Sequence, residues 1–189
     1  MEFFEAVANR TSIRRYSDRP VEQDKLDSIF QAVQQAPTWA NMQCPRFIIV
    51  RDRAAKEKLS ELSSSEALMA PMGYKANPSR KALAEAPVVV VACADPAASG
   101  SIRGQDYYLV DIGIAGQTLM LAASALGLAT VFVGIYDEDG VRELLSIPEG
   151  VRVAGLFPLG YPLEPDRKKD RPGRKPLSET VYQDRWQGR

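Results

Sequence analysis

Histidine is absent from the 189 residues of this chain. That absence excludes the imidazole-dependent serine and cysteine nucleophile systems and histidine-built metal centres, because imidazole is the usual base and the commonest transition-metal ligand near neutral pH. Cysteine is nearly absent too. Cys44 and Cys93 are too few for a disulfide framework and match no zinc-ligand spacing, which suits a reducing, cytoplasmic compartment. Neither sign of charge is in excess, with 24 Lys+Arg against 24 Asp+Glu, so no global field draws the chain to nucleic acid or to an anionic membrane. Any anion site must be local. The opening Met1-Glu2-Phe3-Phe4-Glu5 lacks the basic and apolar regions of a secretory signal. No Gly-x-Gly-x-x-Gly follows a strand-like run and there is no Gly-Lys-Ser/Thr loop, so neither a resident Rossmann-bound dinucleotide nor a P-loop is expected.

Long apolar runs are also scarce, with one exception. Ile112 to Tyr136 carries no formal charge and is long enough to suggest a membrane span. It holds Gln117, Thr118, Ser124 and Thr130, and Leu126-Gly127-Leu128 reads as a helix stop before the β-branched Thr130-Val131-Phe132-Val133. The run therefore divides into a helix and a strand. A helix apolar on every side must be covered on every side, which a small domain achieves by pressing it against a second copy. A homodimer is expected.

The remaining elements follow from periodicity. Residues 2–9 suit a first helix, and Val21-Glu22-Gln23-Asp24 opens a second, with Leu26, Ile29, Phe30 and Val33 at helical spacing and an end before Pro37. Arg46–Val50 and Pro87–Ala92 read as central strands, and residues 53–62 and 80–86 as helices. The stretch between those helices reads as a surface excursion whose Leu68, Met69, Met72 and Tyr74 could cover a pocket. Beyond it come a helix from Asp106 to Leu126, a strand at 129–135, a charged helix at 138–145 opened by the capping acids Asp137, Glu138 and Asp139, and a strand Val153–Phe157. Two helices precede any strand, so the expected class is α+β, a single domain over 1–189 with a mixed sheet and helices on both faces. Residues 163–189, rich in Pro, Lys and Arg, form a basic tail too polar for a core of its own, which must lie on something else.

Two segments carry candidate chemistry. Arg10-Thr11-Ser12-Ile13-Arg14-Arg15-Tyr16 alternates Arg10, Ser12 and Arg14, so an extended backbone would present two guanidinium forks and a hydroxyl on one side, a set suited to a phosphate. A solvated loop is the competing reading. Ala36-Pro37-Thr38-Trp39-Ala40-Asn41-Met42-Gln43 puts a bend, a hydroxyl, an indole and two amides ahead of a strand, which suits either a plain turn or the wall of a flat heterocycle.

Together with Asp111-Ile112-Gly113-Ile114-Ala115, Leu121-Ala122-Ala123, Gly127-Leu128, Leu159-Gly160-Tyr161-Pro162 and Arg174-Lys175-Pro176-Leu177, these segments resemble, in order, the FMN-dependent nitroreductase family. The resemblance implies an intertwined homodimer with FMN at the subunit interface. It implies that Arg10, Ser12 and Arg14 hold the FMN phosphate, with the backbone at Thr11 helping and Arg174 and Lys175 completing the site. It also implies that Pro37, Thr38, Trp39 and Asn41, with Gln43 nearby, approach the flavin from the other subunit, and that the backbone at Val133 and Gly134 nears the ring. The implied activity is NADH- or NADPH-dependent reduction of the flavin, then of a nitroaromatic, quinone or similar acceptor, by ping-pong exchange. The alternatives are a protein that stores or senses FMN without catalysis, and a nucleic-acid or phosphoprotein binder. Trp39 departs from the family pattern, which has a small hydroxyl residue there, and the 63–80 region is short.

Overall fold

The fold is taken from a computed structural model that describes residues 2–64, 69–73, 75–163 and 173–186. Leu68 and Tyr74, two of the residues expected to cover a pocket, lie outside the described residues, as does 164–172 of the tail; Met69 is buried.

The chain runs α1 (Phe3–Asn9), α2 (Gln23–Gln34), β1 (Pro45–Val50), α3 (Arg53–Leu62), α4 (Arg80–Glu85), β2 (Val88–Ala94), a short hairpin β3 (Ser101–Ile102) and β4 (Gln105–Asp106), α5 (Tyr107–Ala125), β5 (Ala129–Thr130), α6 (Glu138–Leu144) and β6 (Arg152–Gly160). Four strands form one sheet in the order β1-β2-β6-β5. All three pairings are antiparallel. Among the described residues the one parallel link is a bridge from Ser12 to Thr130, which ties the N-terminal strip to the sheet.

Every residue of β2 is buried, and its side chains alternate between two cores. Val88, Val90 and Ala92 face Leu26, Ile29, Leu119 and Phe157 beneath α2 and α5. Val89, Val91 and Cys93 face Leu59, Leu83 and Val141 beneath α3, α4 and α6. Helices thus cover both faces, as the unalternating valine run implies. Burial, followed by the Glu138 charge, pushes the Cys93 thiol up to about 11, so it is a protonated core group.

Two strand expectations need correction. Arg46–Val50 lies in β1 at a sheet edge rather than at its centre. An apolar run reports covered faces, not paired edges. The strand expected at 129–135 pairs with β6 only at Ala129–Thr130 and again at Val133, opposite Leu156. Leu156 exchanges both of its backbone bonds with Val133. By the alternation of an antiparallel ladder, Pro158 then faces Val131, and proline has no N–H to give, so the ladder opens there.

The long uncharged segment does divide as read. Helix α5 stops in a Schellman arrangement: the Leu128 N–H donates to the Ala123 carbonyl at 2.9 Å and the Gly127 N–H to Ser124 at 3.1 Å. Gly127 has the positive φ this requires. By length and composition α5 could cross a membrane, yet Ile112, Ala115, Leu119 and Ala123 on one side of it are buried against α2 and the sheet. Its other side is open. Leu109 is 52% exposed, Val110 and Ile114 are exposed beside it, and Phe132 next to them is 49% exposed. Leu109 and Phe132 line an apolar hollow of about 420 Å³ together with Gly116, Met120 and Phe157.

The acids before α6 divide their tasks. Asp137 caps the helix by accepting from the Gly140 N–H at 3.2 Å, while Glu138 accepts two bonds from Arg152, at 2.7 and 2.8 Å, and one from the Val153 N–H. The Arg152 bonds hold the Glu138 carboxyl below its ordinary value of 4.5. A depressed folded-state pKa gives stability that is present above the unfolded value and lost as pH falls through the folded one. The urea midpoint of Glu138→Gln should therefore lie below wild type at pH 7 and fall less steeply than wild type below pH about 4.5. Parallel curves would show that this carboxylate adds no acid sensitivity.

Candidate active site

Residues 10–17 run extended along the end of the sheet and are pinned on both sides. The Ile13 N–H donates to Thr130 at 3.1 Å, Ser17 to Tyr161 at 3.0 Å, and the Leu163 N–H donates back to Arg15 at 3.1 Å. Tyr16 is buried, and its hydroxyl donates to the Ile13 carbonyl at 2.7 Å. Burial pushes its pKa well above the ordinary tyrosine value, so it is a structural donor rather than an acid.

This strip sorts its arginines. Arg15 pairs with Glu85 at 2.9 Å. Arg19 pairs with Glu22 at 2.7 Å and lies 3.9 Å over the Tyr161 ring. Arg10 closes α1 through its backbone N–H, 2.9 Å from the Ala6 carbonyl, and with Thr11 lines a cleft of about 130 Å³ against Ser124 and Thr130. Ser12 and Arg14 are exposed. The Arg14 guanidinium spans from the Ser79 hydroxyl, 3.2 Å from Nε, to the Ser12 carbonyl, 3.3 Å from Nη1. Among the described residues it has no carboxylate partner, so its charge is uncompensated.

Ser79 was not foreseen from the sequence. It is buried and set by Asn77, whose Oδ1 accepts from the Ser79 N–H at 2.9 Å while its Nδ2 donates to the carbonyls of Ser63 and Ile135. The signal was Asn77-Pro78-Ser79, a side-chain-stabilised turn that brings a hydroxyl beside Arg14.

The second segment is strained. Ala40, Asn41 and Gln43 all have positive φ, at 46°, 55° and 50°. Asparagine tolerates this region; alanine and glutamine do so at a cost on the order of 1–3 kcal/mol each. Thr38 helps hold the turn, its Oγ1 accepting from the Gln43 N–H at 3.0 Å. The twist leaves Asn41 and Gln43 exposed, alongside exposed Pro37. Trp39 is turned inward instead: its ring lies 5.6 Å from that of Tyr107 and covers Gly100, where an added Cβ would sit 2.6 Å from the indole. The indole therefore supports the β3–β4 hairpin rather than standing free as a wall. Cys44, at the loop's end, is buried, and burial together with Asp111 raises its thiol pKa.

Of the other expected residues, Val133 spends both backbone groups on Leu156, leaving exposed Gly134 as the one with backbone to offer. Arg174 and Lys175 are exposed ahead of a turn at Leu177–Glu179. Among the described residues no hydrogen bond or ion pair joins either of them to Ser12 or Arg14.

No cluster of three Cys, Asp or Glu side chains able to hold a metal occurs among the described residues. The site consists of a guanidinium without a described carboxylate partner, hydroxyls and a strained loop. It is equipped to place an anionic ligand, not to act as a nucleophile.

The sequence model described as the Nitroreductase family matches residues 7–161. A Methanothermobacter thermautotrophicus protein, provisionally named NADH dehydrogenase/NAD(P)H nitroreductase, is 33% identical over 98% of this chain and 88% of its own. The Bacillus subtilis FMN reductase (NAD(P)H) is 31% identical over 90% of this chain and 70% of its own. The crystal structure of a nitroreductase family protein from Clostridium novyi NT superposes with a TM-score of 0.79 at 31% identity, covering 87% of each chain. The family match over residues 7–161 spans the arginine strip, the strained loop and the four-stranded sheet, and this chain belongs to the nitroreductase family.

Proposed function

We propose that this chain is an FMN-dependent oxidoreductase that takes electrons from NADH or NADPH and passes them to a nitroaromatic, quinone or similar electron-poor acceptor. The observation that carries the reading is the Arg14 guanidinium, uncompensated by any described carboxylate and held between the Ser79 hydroxyl and the Ser12 backbone carbonyl. A phosphomonoester, with its charge of about −1.5 to −2 and three acceptor oxygens, matches that donor set. The names of two relatives, the Bacillus subtilis FMN reductase and the Salmonella typhimurium oxygen-insensitive NADPH nitroreductase, point to the same cofactor and donor.

Bound FMN would supply reversible hydride acceptance, chemistry that no side chain of this protein offers. The chain's own residues bind and orient. Arg10, Ser12 and Arg14 hold the phosphate; the Thr38–Gln43 loop offers the amides of Asn41 and Gln43 to a ring edge; Gly134 offers backbone without a side chain in the way. The donor nucleotide and the acceptor occupy one site in turn, which is ping-pong exchange, and such transient stacking needs neither a histidine base nor a resident dinucleotide fold.

A homodimer accompanies this reading. The open apolar side of α5 with Phe132 gives a second copy a surface to cover. A second chain could also deliver its exposed Arg174 and Lys175 to the Arg14 of the first. The test is optical: the purified protein should be yellow, release FMN on heating, bleach anaerobically with NADH or NADPH, and recover its colour with a nitroarene or quinone. A yellow protein that neither nucleotide bleaches would instead store or sense FMN. A colourless one with steeply salt-dependent oligonucleotide binding would overturn the reading altogether.

A further inference from the structure

One carboxylate holds both ends of the strained loop. Asp111 projects from the second turn of α5 and is 1% exposed. Its two oxygens are divided: Oδ1 accepts from the Trp39 backbone N–H at 2.8 Å, and Oδ2 accepts from the Cys44 thiol at 3.2 Å. Between these anchor residues lie Ala40, Asn41 and Gln43, three of the six side-chain-bearing residues at positive φ among those described. Left-handed backbone of this kind persists only where its surroundings over-determine it. The loop's own bonds are few and local: the Gln43 N–H to the Thr38 hydroxyl, the Asn41 N–H to Thr38, the Met42 N–H to Trp39 and a 3.4 Å contact from the Gln43 amide to the Asn41 carbonyl, with Arg46 donating to the Gln43 carbonyl from outside.

Burying a carboxylate is costly, and among the described residues no cation pairs with Asp111. Core packing gives no reason to keep it, because its helix neighbours Ile112 and Ala115 are apolar and fill the core without it. Its two donors do give a reason. A carboxylate is acceptor-only, so it satisfies an N–H and an S–H at once; an amide of the same shape would turn its own NH2 group toward one of them. We propose that Asp111 is a positioning residue that clamps both ends of the 38–44 loop and so fixes the left-handed backbone presenting Asn41 and Gln43 outward. The ligand arm of the test rests on the FMN reading; the clamp itself does not.

Hydrogen exchange of the full-length chain without FMN, and FMN affinity by fluorescence titration, together test this. In Asp111→Asn the amides of residues 39–43 should exchange at least tenfold faster while those of β2 stay as in wild type, and FMN should bind about fivefold more weakly. Cys44→Ser keeps a donor and should stay within twofold of wild type on both measures; Cys44→Ala loses one anchor and should fall between. A folded Asp111→Asn with wild-type exchange at 39–43, or one whose protection falls equally in β2, overturns the clamp. If Asp111→Asn does not fold, identical loop exchange in Cys44→Ala and Cys44→Ser overturns it. Wild-type protein that takes up no FMN defeats the functional reading instead, and the exchange data still decide the clamp.

Discussion

Arg14→Ala is expected to lower FMN retention at least tenfold while leaving the fold intact. The side chain is exposed and its hydrogen bonds among the described residues go only to the Ser79 hydroxyl and the Ser12 carbonyl, so its removal should cost little stability. What it removes is charge-assisted bonding to a phosphate, about 1.5–3 kcal/mol per bond, where each 1.4 kcal/mol is a factor of ten in affinity. Arg14→Lys keeps the charge and loses the planar fork, and should fall between the two. Arg15→Ala is the control: Arg15 already pairs with Glu85 on the surface, and such pairs contribute little. Flavin content after gel filtration and fluorescence titration measure both quantities. Equal flavin content in Arg14→Ala and wild type would remove the guanidinium from the cofactor site.

Truncation after Leu163 should convert a loaded dimer into a cofactor-poor monomer. Beyond that point the described tail holds Leu177, 76% exposed, and Trp186, 80% exposed, with exposed Val181 between them. Large apolar side chains in this state on a polar segment gain about 25 cal/mol for each Å² they bury on another surface. Arg174 and Lys175 precede them on the same segment, so one deletion removes both the covering surface and two cations assigned to the phosphate. Sedimentation velocity and the visible spectrum should change together. A truncated chain that remains a fully loaded dimer would exclude the tail from both tasks.

The sequence disclosed elements more readily than edges. The period of Leu26, Ile29 and Val33 fixed the buried face of α2, and the valine run of β2 announced a strand covered on both sides. Where β1 lies in the sheet was not legible, because hydrophobic pattern reports faces alone. The break after Thr130 was encoded in Pro158, which stands 28 residues away, and mattered only once Leu156 was known to face Val133. In the candidate site, the alternation of residues 10–14 indicated an arginine strip but not which arginine stays uncompensated. That depends on Glu85 and Glu22 meeting Arg15 and Arg19 across the fold. The strained loop was read as a polar segment; its left-handed residues leave no mark in composition, since glycine occupies none of them. Asp111 lay within a quoted motif, yet two donors converging on it from 67 and 72 residues away is a tertiary fact.

The indole over Gly100 makes two distant positions one unit for anyone redesigning this pocket. A bulkier residue at 100 has no room while the tryptophan stays, and a smaller residue at 39 leaves the hairpin without its support. Each change alone is a loss that the other can repair, so their effects do not add. Libraries that vary one site at a time will discard both, and the route to a reshaped hairpin begins at position 39.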